Sequence, residues 1–219
     1  MTDLLPPWTL LAPFLVAAFA LNLTPGADMT YVLARSLAQG REAGLVSALG
    51  IAVGSAIHTT AAAIGLSALL LHSEAAFTTV KIGGAAYLVW LAFKAFRDGG
   101  GTASLTGQAP TSPGRIFLEA VMTNVLNPKV ALFILAFLPQ FVAPAQGHVA
   151  LQILILGTLF NIGGTAVNIA VALSTSAARG FVLGSSKMRR FLAWFSGLVF
   201  IGLAARLAFE IPIVAALDQ

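Results

Sequence analysis

Stretches of about 20 or more mostly apolar residues recur along the whole chain. In a lipid bilayer a segment must satisfy its own backbone hydrogen bonds, so such stretches indicate membrane-spanning helices. Only 9% of the 219 residues are charged, against about 25% in soluble domains. Strands of a membrane barrel would alternate apolar and polar residues, and residues 61–66 (Ala-Ala-Ala-Ile-Gly-Leu) do not. The sequence therefore predicts an all-α membrane protein.

The apolar stretches divide into six predicted transmembrane helices. They cover residues 13–36, 43–71, 75–96, 116–142, 149–174 and 191–209. Residues 97–115 are rich in Gly, Ser, Thr and Pro and are the one stretch that resembles a linker. We expect one transmembrane domain in which this cytoplasmic linker separates a first three-helix unit, residues 1–96, from a second, residues 116–219.

The basic residues predict the orientation of these helices. Nine of the twelve Lys and Arg residues lie in the last residues of the first, third or fifth predicted span or in the connection that follows it: Arg35, Arg41, Lys94, Arg97, Arg115, Arg179, Lys187, Arg189 and Arg190. Because cytoplasmic connections carry an excess of Lys and Arg, we expect these three connections in the cytoplasm and both termini outside it. The net charge of +4 then reflects membrane topology, and we expect no nucleic-acid partner.

Three helices per unit is an odd number, so the second unit would enter the membrane in the opposite direction to the first. Shifting the chain by 103 positions places Thr24 and Pro25 on Asn127 and Pro128, and Gly54 on Gly157. Inverted repeats of this kind are a common transporter architecture. We therefore predict two inverted three-helix repeats with proline-broken first and fourth helices.

Pro25 and Pro128 lie near the middles of the first and fourth predicted spans. Proline removes a backbone donor and clashes with the preceding turn, but it is favoured at the first position of a new helix. Thr24 and Asn127 precede the two prolines, and both residue types are good N-caps. Each break would expose backbone N–H groups and a positive dipole end at membrane depth, where a carboxylate can bind.

Two ionisable residues accompany the breaks: Asp28 follows Pro25 by three positions and Lys129 follows Pro128 directly. Charged residues inside membrane spans are costly and usually mark a transport pathway or an ion pair. The two side chains either pair with each other or face opposite ends of a zwitterionic substrate. The alternative is that Asp28 only complements a helix N-terminus while Lys129 reaches towards the membrane surface.

Small and polar residues follow helical spacing on one face of the second and fifth spans. Gly50, Gly54 and Gly157 favour close helix packing. His58 lies on the same face as the first two. Histidine is a common proton carrier in proteins, so His58 is either a candidate proton carrier or a neutral histidine bonded to a neighbouring helix.

Four asparagines, Asn22, Asn124, Asn161 and Asn168, are candidates to bind a polar substrate or to join helices. The predicted substrate site comprises the first three of them together with Thr24, Pro25, Gly26, Asp28, Asn127, Pro128 and Lys129. The chain has no cysteine, which excludes thiolate metal sites and thiol catalysis, and we predict neither a metal nor a cofactor.

The chain resembles the LysE/RhtB family of bacterial amino-acid exporters along nearly its full length. The resemblance rests on the blocks 24–28 (Thr-Pro-Gly-Ala-Asp), 40–58, 83–88 (Gly-Gly-Ala-Ala-Tyr-Leu), 124–129 (Asn-Val-Leu-Asn-Pro-Lys) and 137–141 (Phe-Leu-Pro-Gln-Phe). Family members usually have Pro-Gly-Pro in the first block, and this chain has Ala27 in place of the second proline.

The resemblance implies six helices in the bacterial inner membrane and export of amino acids or close derivatives, driven by the proton-motive force. The expected partners are a small zwitterionic substrate, protons and the lipid bilayer. A homo-oligomer is left open. We expect proton coupling through Asp28 or His58. A passive channel is the alternative, and an intramembrane enzyme is disfavoured because the chain has no His-Glu-x-x-His helix and no Gly-x-Ser-x-Gly turn.

Overall fold

The computed structural model describes residues 5–72 and 110–174, with isolated positions between 79 and 97 and between 187 and 205. Within these ranges every regular element is helical. The elements are α1 (Trp8–Leu23), α2 (Ala27–Gln39), α3 (Arg41–His72), α4 (Pro113–Val125), α5 (Pro128–Leu132) and α6 (Val149–Leu173). After α5 the chain continues as a π-helical turn (Phe133–Phe137) and as two 3-10 turns (Leu138–Phe141 and Pro144–Gln146).

Among the described helices, two are long and apolar enough to cross a membrane by themselves, α3 over Arg41–Gly65 and α6 over Val149–Leu173. Two further pairs of helices are each bent at a short break, and each pair adds one span if its two helices cross the membrane together. Helices α1 and α2 meet at an angle of 42°, and α4 meets the stretch Pro128–Phe141 at 49°. The prediction that prolines break the first and fourth spans is confirmed.

The third and sixth predicted spans are described only at isolated positions, all of them helical. Phe96 joins the two segments: its ring centroid lies 5.0 Å from that of Trp194, and a Cβ added to Gly197 would lie 2.5 Å from the Phe96 ring. Residues 98–109, most of the predicted linker, lie outside the described residues. The inverted three-helix repeat stays a prediction.

Helix α3 is central, because α2, α4 and α6 all pack against it. Glycines bring these backbones close together. A Cβ on Gly50 would lie 2.5 Å from the carbonyl oxygen of Phe117 in α4, and one on Gly157 in α6 would collide with Thr59. At both positions the neighbouring helix occupies the space that a side chain would need.

Two clusters of buried apolar side chains lie along the bundle. The phenylalanine cluster joins α1, the stretch after α5, and α6, and its aromatic members are Phe14, Phe133, Phe137, Phe141 and Phe160. Ring centroids of neighbouring members lie 4.7 to 6.2 Å apart, a favourable separation for aromatic pairs. The second cluster joins α2, α3, α4 and α6 through Met29, Val32, Leu33, Ile51, Ala120, Val171 and Ala172.

A buried glutamine holds the connection that leads into α6. Gln152 accepts from the backbone N–H of Ala143 at 2.8 Å and donates to the carbonyl oxygens of Ala143 and Gly147 at 3.1 and 2.8 Å. Gly147 has a φ of +72°, which glycine adopts without steric cost. These bonds satisfy backbone groups where the chain reverses direction between its fourth and fifth spans.

Substitution Gly50→Ala tests the close contact between α3 and α4. We expect it to lower the free energy of unfolding by about 1–3 kcal/mol, because the added methyl meets the backbone of α4. Thermal unfolding of the purified protein measures the effect. Gly65→Ala is the matched control on the same helix, since nothing lies within 4 Å of its Cβ position, and it should leave the stability unchanged or slightly raised. Equal effects of the two substitutions would contradict this packing.

Candidate functional site

The first break lies between α1 and α2. Thr24 ends α1: its backbone N–H donates to the carbonyl of Ala20 at 3.1 Å, and its Oγ1 donates to the same carbonyl at 2.7 Å. Helix α2 begins only at Ala27, after Gly26 in extended backbone. The prediction that Thr24 caps the second half-helix is therefore wrong. Its hydroxyl bonds back to the preceding turn, an option open to any helical threonine.

The second break follows the predicted pattern. Asn127 is the N-cap of α5, and its Oδ1 accepts from the backbone N–H of Lys129 at 3.0 Å. Pro128 occupies the first position of the helix, where its missing N–H costs no hydrogen bond. The prediction of a capped Asn-Pro helix start is confirmed.

Lys129 connects the second break to the first. Its ammonium group donates to the carbonyl oxygens of Leu21 and Thr24 at 2.9 and 2.8 Å. The last carbonyls of a helix have no partner within the helix and carry the negative end of its dipole. Lys129 therefore stabilises the C-terminal end of α1 at the point where Pro25 interrupts the span. No ion pair joins Lys129 directly to Asp28; each side chain bonds to other partners.

Asp28, in the first turn of α2, binds α4. Its Oδ2 accepts from the side-chain amide of Asn124 at 2.8 Å, whereas its Oδ1 is buried without a hydrogen-bond partner. The backbone carbonyl of Asn124 in turn lies 3.2 Å from Nε2 of His58 on α3. A chain of contacts thus connects the two candidate proton carriers through Asn124.

Between the two breaks lies a cavity of about 50 Å³, enough for a few water molecules. Eight of the ten predicted substrate-site residues line it: Asn22, Thr24, Gly26, Asp28, Asn124, Asn127, Lys129 and Asn161. Pro25, Pro128 and His58 are not among the lining residues. Asn168, a further candidate from the sequence, also lines the cavity. The remaining lining residues were not singled out as ligands from the sequence: Leu21, Met29, Ile51, Ser55, Val130, Phe160, Gly164 and Thr165.

Asparagines on α1 and α6 also join helices at this level. The Asn22 amide donates to the carbonyl of Phe160 at 3.0 Å, and the Asn161 amide donates to the carbonyl of Ala52 at 3.0 Å. A Cβ on Gly164 would lie 2.9 Å from Oδ1 of Asn22. Both asparagines therefore hold helices together and line the cavity, so the two roles left open by the sequence are compatible.

A polar network joins α2 to the start of α4 at one end of the bundle. Arg35 pairs with Glu119 at 2.5 Å, and the hydroxyl of Tyr31 lies 3.1 Å from the same carboxylate oxygen. Arg35 also donates to Gln39, whose side-chain amide donates to the carbonyl of Thr111 at 2.9 Å. From the sequence, Arg35 was expected only to contribute to membrane orientation. The four-residue spacing of Tyr31, Arg35 and Gln39 on one helix face is a signal for such a network, but it does not identify the partner.

Substitution Arg35→Met tests this network. The Arg35 side chain is 6% exposed and that of Glu119 34% exposed, so we expect a loss of about 2 kcal/mol of unfolding free energy, less than for a fully buried pair. Arg115→Met is the matched control, because Arg115 binds the same carboxylate but is 72% exposed, and it should cost less than about 1 kcal/mol. Thermal unfolding of the three proteins gives the comparison. Similar losses in both variants would show that burial does not decide the strength of these pairs.

Among the described residues, no group of three or more His, Cys, Asp or Glu side chains is placed to hold a metal ion.

Comparison with known proteins identifies the family. Residues 19–211 match the family model of the LysE type translocator. The chain is 31% identical to the homoserine/homoserine lactone efflux protein of Salmonella typhimurium over 84% of this chain and 89% of that protein. It is 30% identical to the leucine efflux protein of Salmonella choleraesuis over 92% of this chain and 93% of that protein. An uncharacterized membrane protein of Vibrio cholerae is 35% identical over 66% of this chain and 70% of that protein. No solved structure matches. The chain therefore belongs to the LysE family of translocators.

Proposed function

We propose that this protein is a secondary transporter that exports amino acids or close derivatives from the cytoplasm. The proposal rests on the cavity at the meeting point of two broken helices, whose lining includes Asp28 and Lys129. Transporters commonly bind their substrates at discontinuous helices near the membrane midplane. Two relatives are named as efflux proteins for homoserine or its lactone and for leucine, which supports an amino acid as the substrate.

The substrate binds with its two charges oriented by the two breaks. Its carboxylate lies near Lys129 and the half-helix N-termini that follow Gly26 and Asn127, where dipoles and backbone N–H groups favour an anion. Lys129 uses two of its three donors on α1, and the third is available to the carboxylate. The ammonium of the substrate faces Asp28. Asn22, Asn124 and Asn161 line the remaining polar wall.

Proton antiport follows from competition for Asp28. A carboxylate that binds a proton is neutral and no longer attracts the substrate's ammonium, so the proton and the substrate exclude each other. Protonation of Asp28 from outside would then release the substrate, and loss of that proton to the cytoplasm would prepare the site again. His58 is the second proton carrier, since it contacts the carbonyl of Asn124, whose side chain holds Asp28.

Substitution Asp28→Asn tests this mechanism. We expect it to reduce efflux about tenfold or more, because the substrate's ammonium loses a charged hydrogen-bond partner, and to remove the response to an imposed pH gradient. Proteoliposomes preloaded with labelled neutral amino acids, including leucine and homoserine, give both readings. Glu42→Gln, at an exposed position in the first turn of α3, is the control and should transport normally. Full pH-driven efflux by Asp28→Asn would contradict the role of Asp28.

The same proteoliposomes separate a transporter from a passive channel. A channel would conduct substrate down its own gradient whether or not a proton gradient is present. We expect accumulation against a substrate gradient while the pH gradient is imposed, and its loss when a protonophore is added. Substrate flux that is unchanged by the protonophore would favour the channel. If none of a broad panel of zwitterions is transported, amino-acid export is contradicted.

We further propose insertion into a bacterial inner membrane with both termini outside the cytoplasm. The Arg41 end of the bundle then faces the cytoplasm, in accord with its basic residues. The chain has no native cysteine, so Arg41→Cys and Gln146→Cys each introduce a single thiol at an exposed position. In intact cells we expect a membrane-impermeant maleimide to label Gln146→Cys and not Arg41→Cys. The reverse pattern would invert the proposed topology.

A further inference from the structure

Three buried oxygen atoms in the described part of the chain have no hydrogen-bond partner: Oδ1 of Asp28, Oγ of Ser55 and Oδ1 of Asn124. All three residues line the same cavity. Ser55 is 4% exposed and Asn124 is 1% exposed, so water outside the cavity does not reach these groups. Native proteins satisfy nearly all buried polar atoms, and an unsatisfied one requires an explanation.

Ser55 differs from its neighbours on α3. The hydroxyls of Ser47 and Thr59 donate to backbone carbonyls one turn back, at 2.7 and 3.0 Å. This bond is the usual way in which a helical hydroxyl is satisfied inside a membrane protein. The Ser55 hydroxyl, between these two on the same helix, makes no such bond. It is therefore available to a ligand in the cavity.

The Asn124 side chain has a defined orientation. Its Nδ2 donates to Asp28, which leaves Oδ1 as an acceptor, and the Asp28 carboxylate contributes a second acceptor. With Ser55 the set comprises one carboxylate oxygen, one amide oxygen and one hydroxyl oxygen. These oxygens repel an anion and attract a cation or a group rich in N–H donors.

We infer that Asp28, Ser55 and Asn124 form a subsite for a primary ammonium group of the exported substrate. A primary ammonium has three N–H donors, as many as the unpartnered oxygens, and its charge is opposite to that of Asp28. This inference rests on the proposed export function and adds Ser55 as a specificity-determining residue. It also predicts that substrates carrying a quaternary amine are rejected, because methylation removes every donor while the three oxygens stay buried.

Methylammonium is the probe, because it carries a primary ammonium group without a carboxylate or side chain. The test therefore does not depend on which amino acid is exported. The purified full chain in lipid nanodiscs is titrated with methylammonium chloride, tetramethylammonium chloride and sodium chloride, and the thermal midpoint is followed, since a ligand of the folded state raises it. We expect stabilisation by methylammonium above that produced by the other two salts. Ser55→Ala should raise the methylammonium concentration that gives half of the effect about tenfold, as loss of a hydrogen bond to a charged group implies.

Ser47→Ala is the matched control: it removes a buried hydroxyl from the same helix, and Ser47 does not line the cavity. Its response to methylammonium should equal that of the unchanged protein. Equal stabilisation by tetramethylammonium, a response in Ser55→Ala equal to that of the control, or no stabilisation by methylammonium would each overturn the inference. Stronger stabilisation by sodium would overturn it in favour of an inorganic cation site. Methylammonium binding without any amino-acid efflux would instead contradict the proposed function.

Discussion

A bilayer contains no water to satisfy backbone groups, and this constraint explains the contact on which the site depends. Pro25 interrupts the first span and has no N–H to donate to the Leu21 carbonyl, which accepts instead from the N–H of Thr24 at 3.2 Å. Lys129, from the other broken span, donates to the carbonyls of Leu21 and Thr24. The charged group of Lys129 thereby supplies hydrogen bonds to the end of α1 that the break at Pro25 removes. This contact joins the two breaks beside the cavity, which Thr24 and Lys129 both line.

The cavity separates the two apolar clusters. Leu21, Val130 and Phe160 belong to the phenylalanine cluster and line the cavity on one side, while Met29 and Ile51 belong to the second cluster and line it on another. Apolar packing thus lies on two sides of the polar site. Under the proposed function, passage of a substrate beyond either cluster requires its side chains to separate, and closely packed interfaces change between discrete arrangements.

The polar network of Arg35 and Glu119 lies beyond the second cluster, at the end of the bundle that contains Arg41. It ties α2 to α4, the same two helices that Asp28 and Asn124 join beside the cavity. Both contacts join α2 to α4, one beside the cavity and the other at the end of the bundle that contains Arg41. A movement of α2 away from α4 would therefore break both the Arg35–Glu119 contact and the bond between Asp28 and Asn124.

Features that depend on local chemistry were predictable from the sequence: helices from apolar length, breaks from proline, and the Asn127 cap from its position before Pro128. The exact role of Thr24 escaped it, because a threonine hydroxyl can bond forwards or backwards and the extended Gly26 decides between them. Only the tertiary structure showed that Lys129 binds the end of α1, that Arg35 pairs with Glu119 and that Ser55 has no partner. Lys129 and Leu21 lie 108 positions apart. Contacts across such distances depend on how whole helices pack, and no local pattern of residues specifies them.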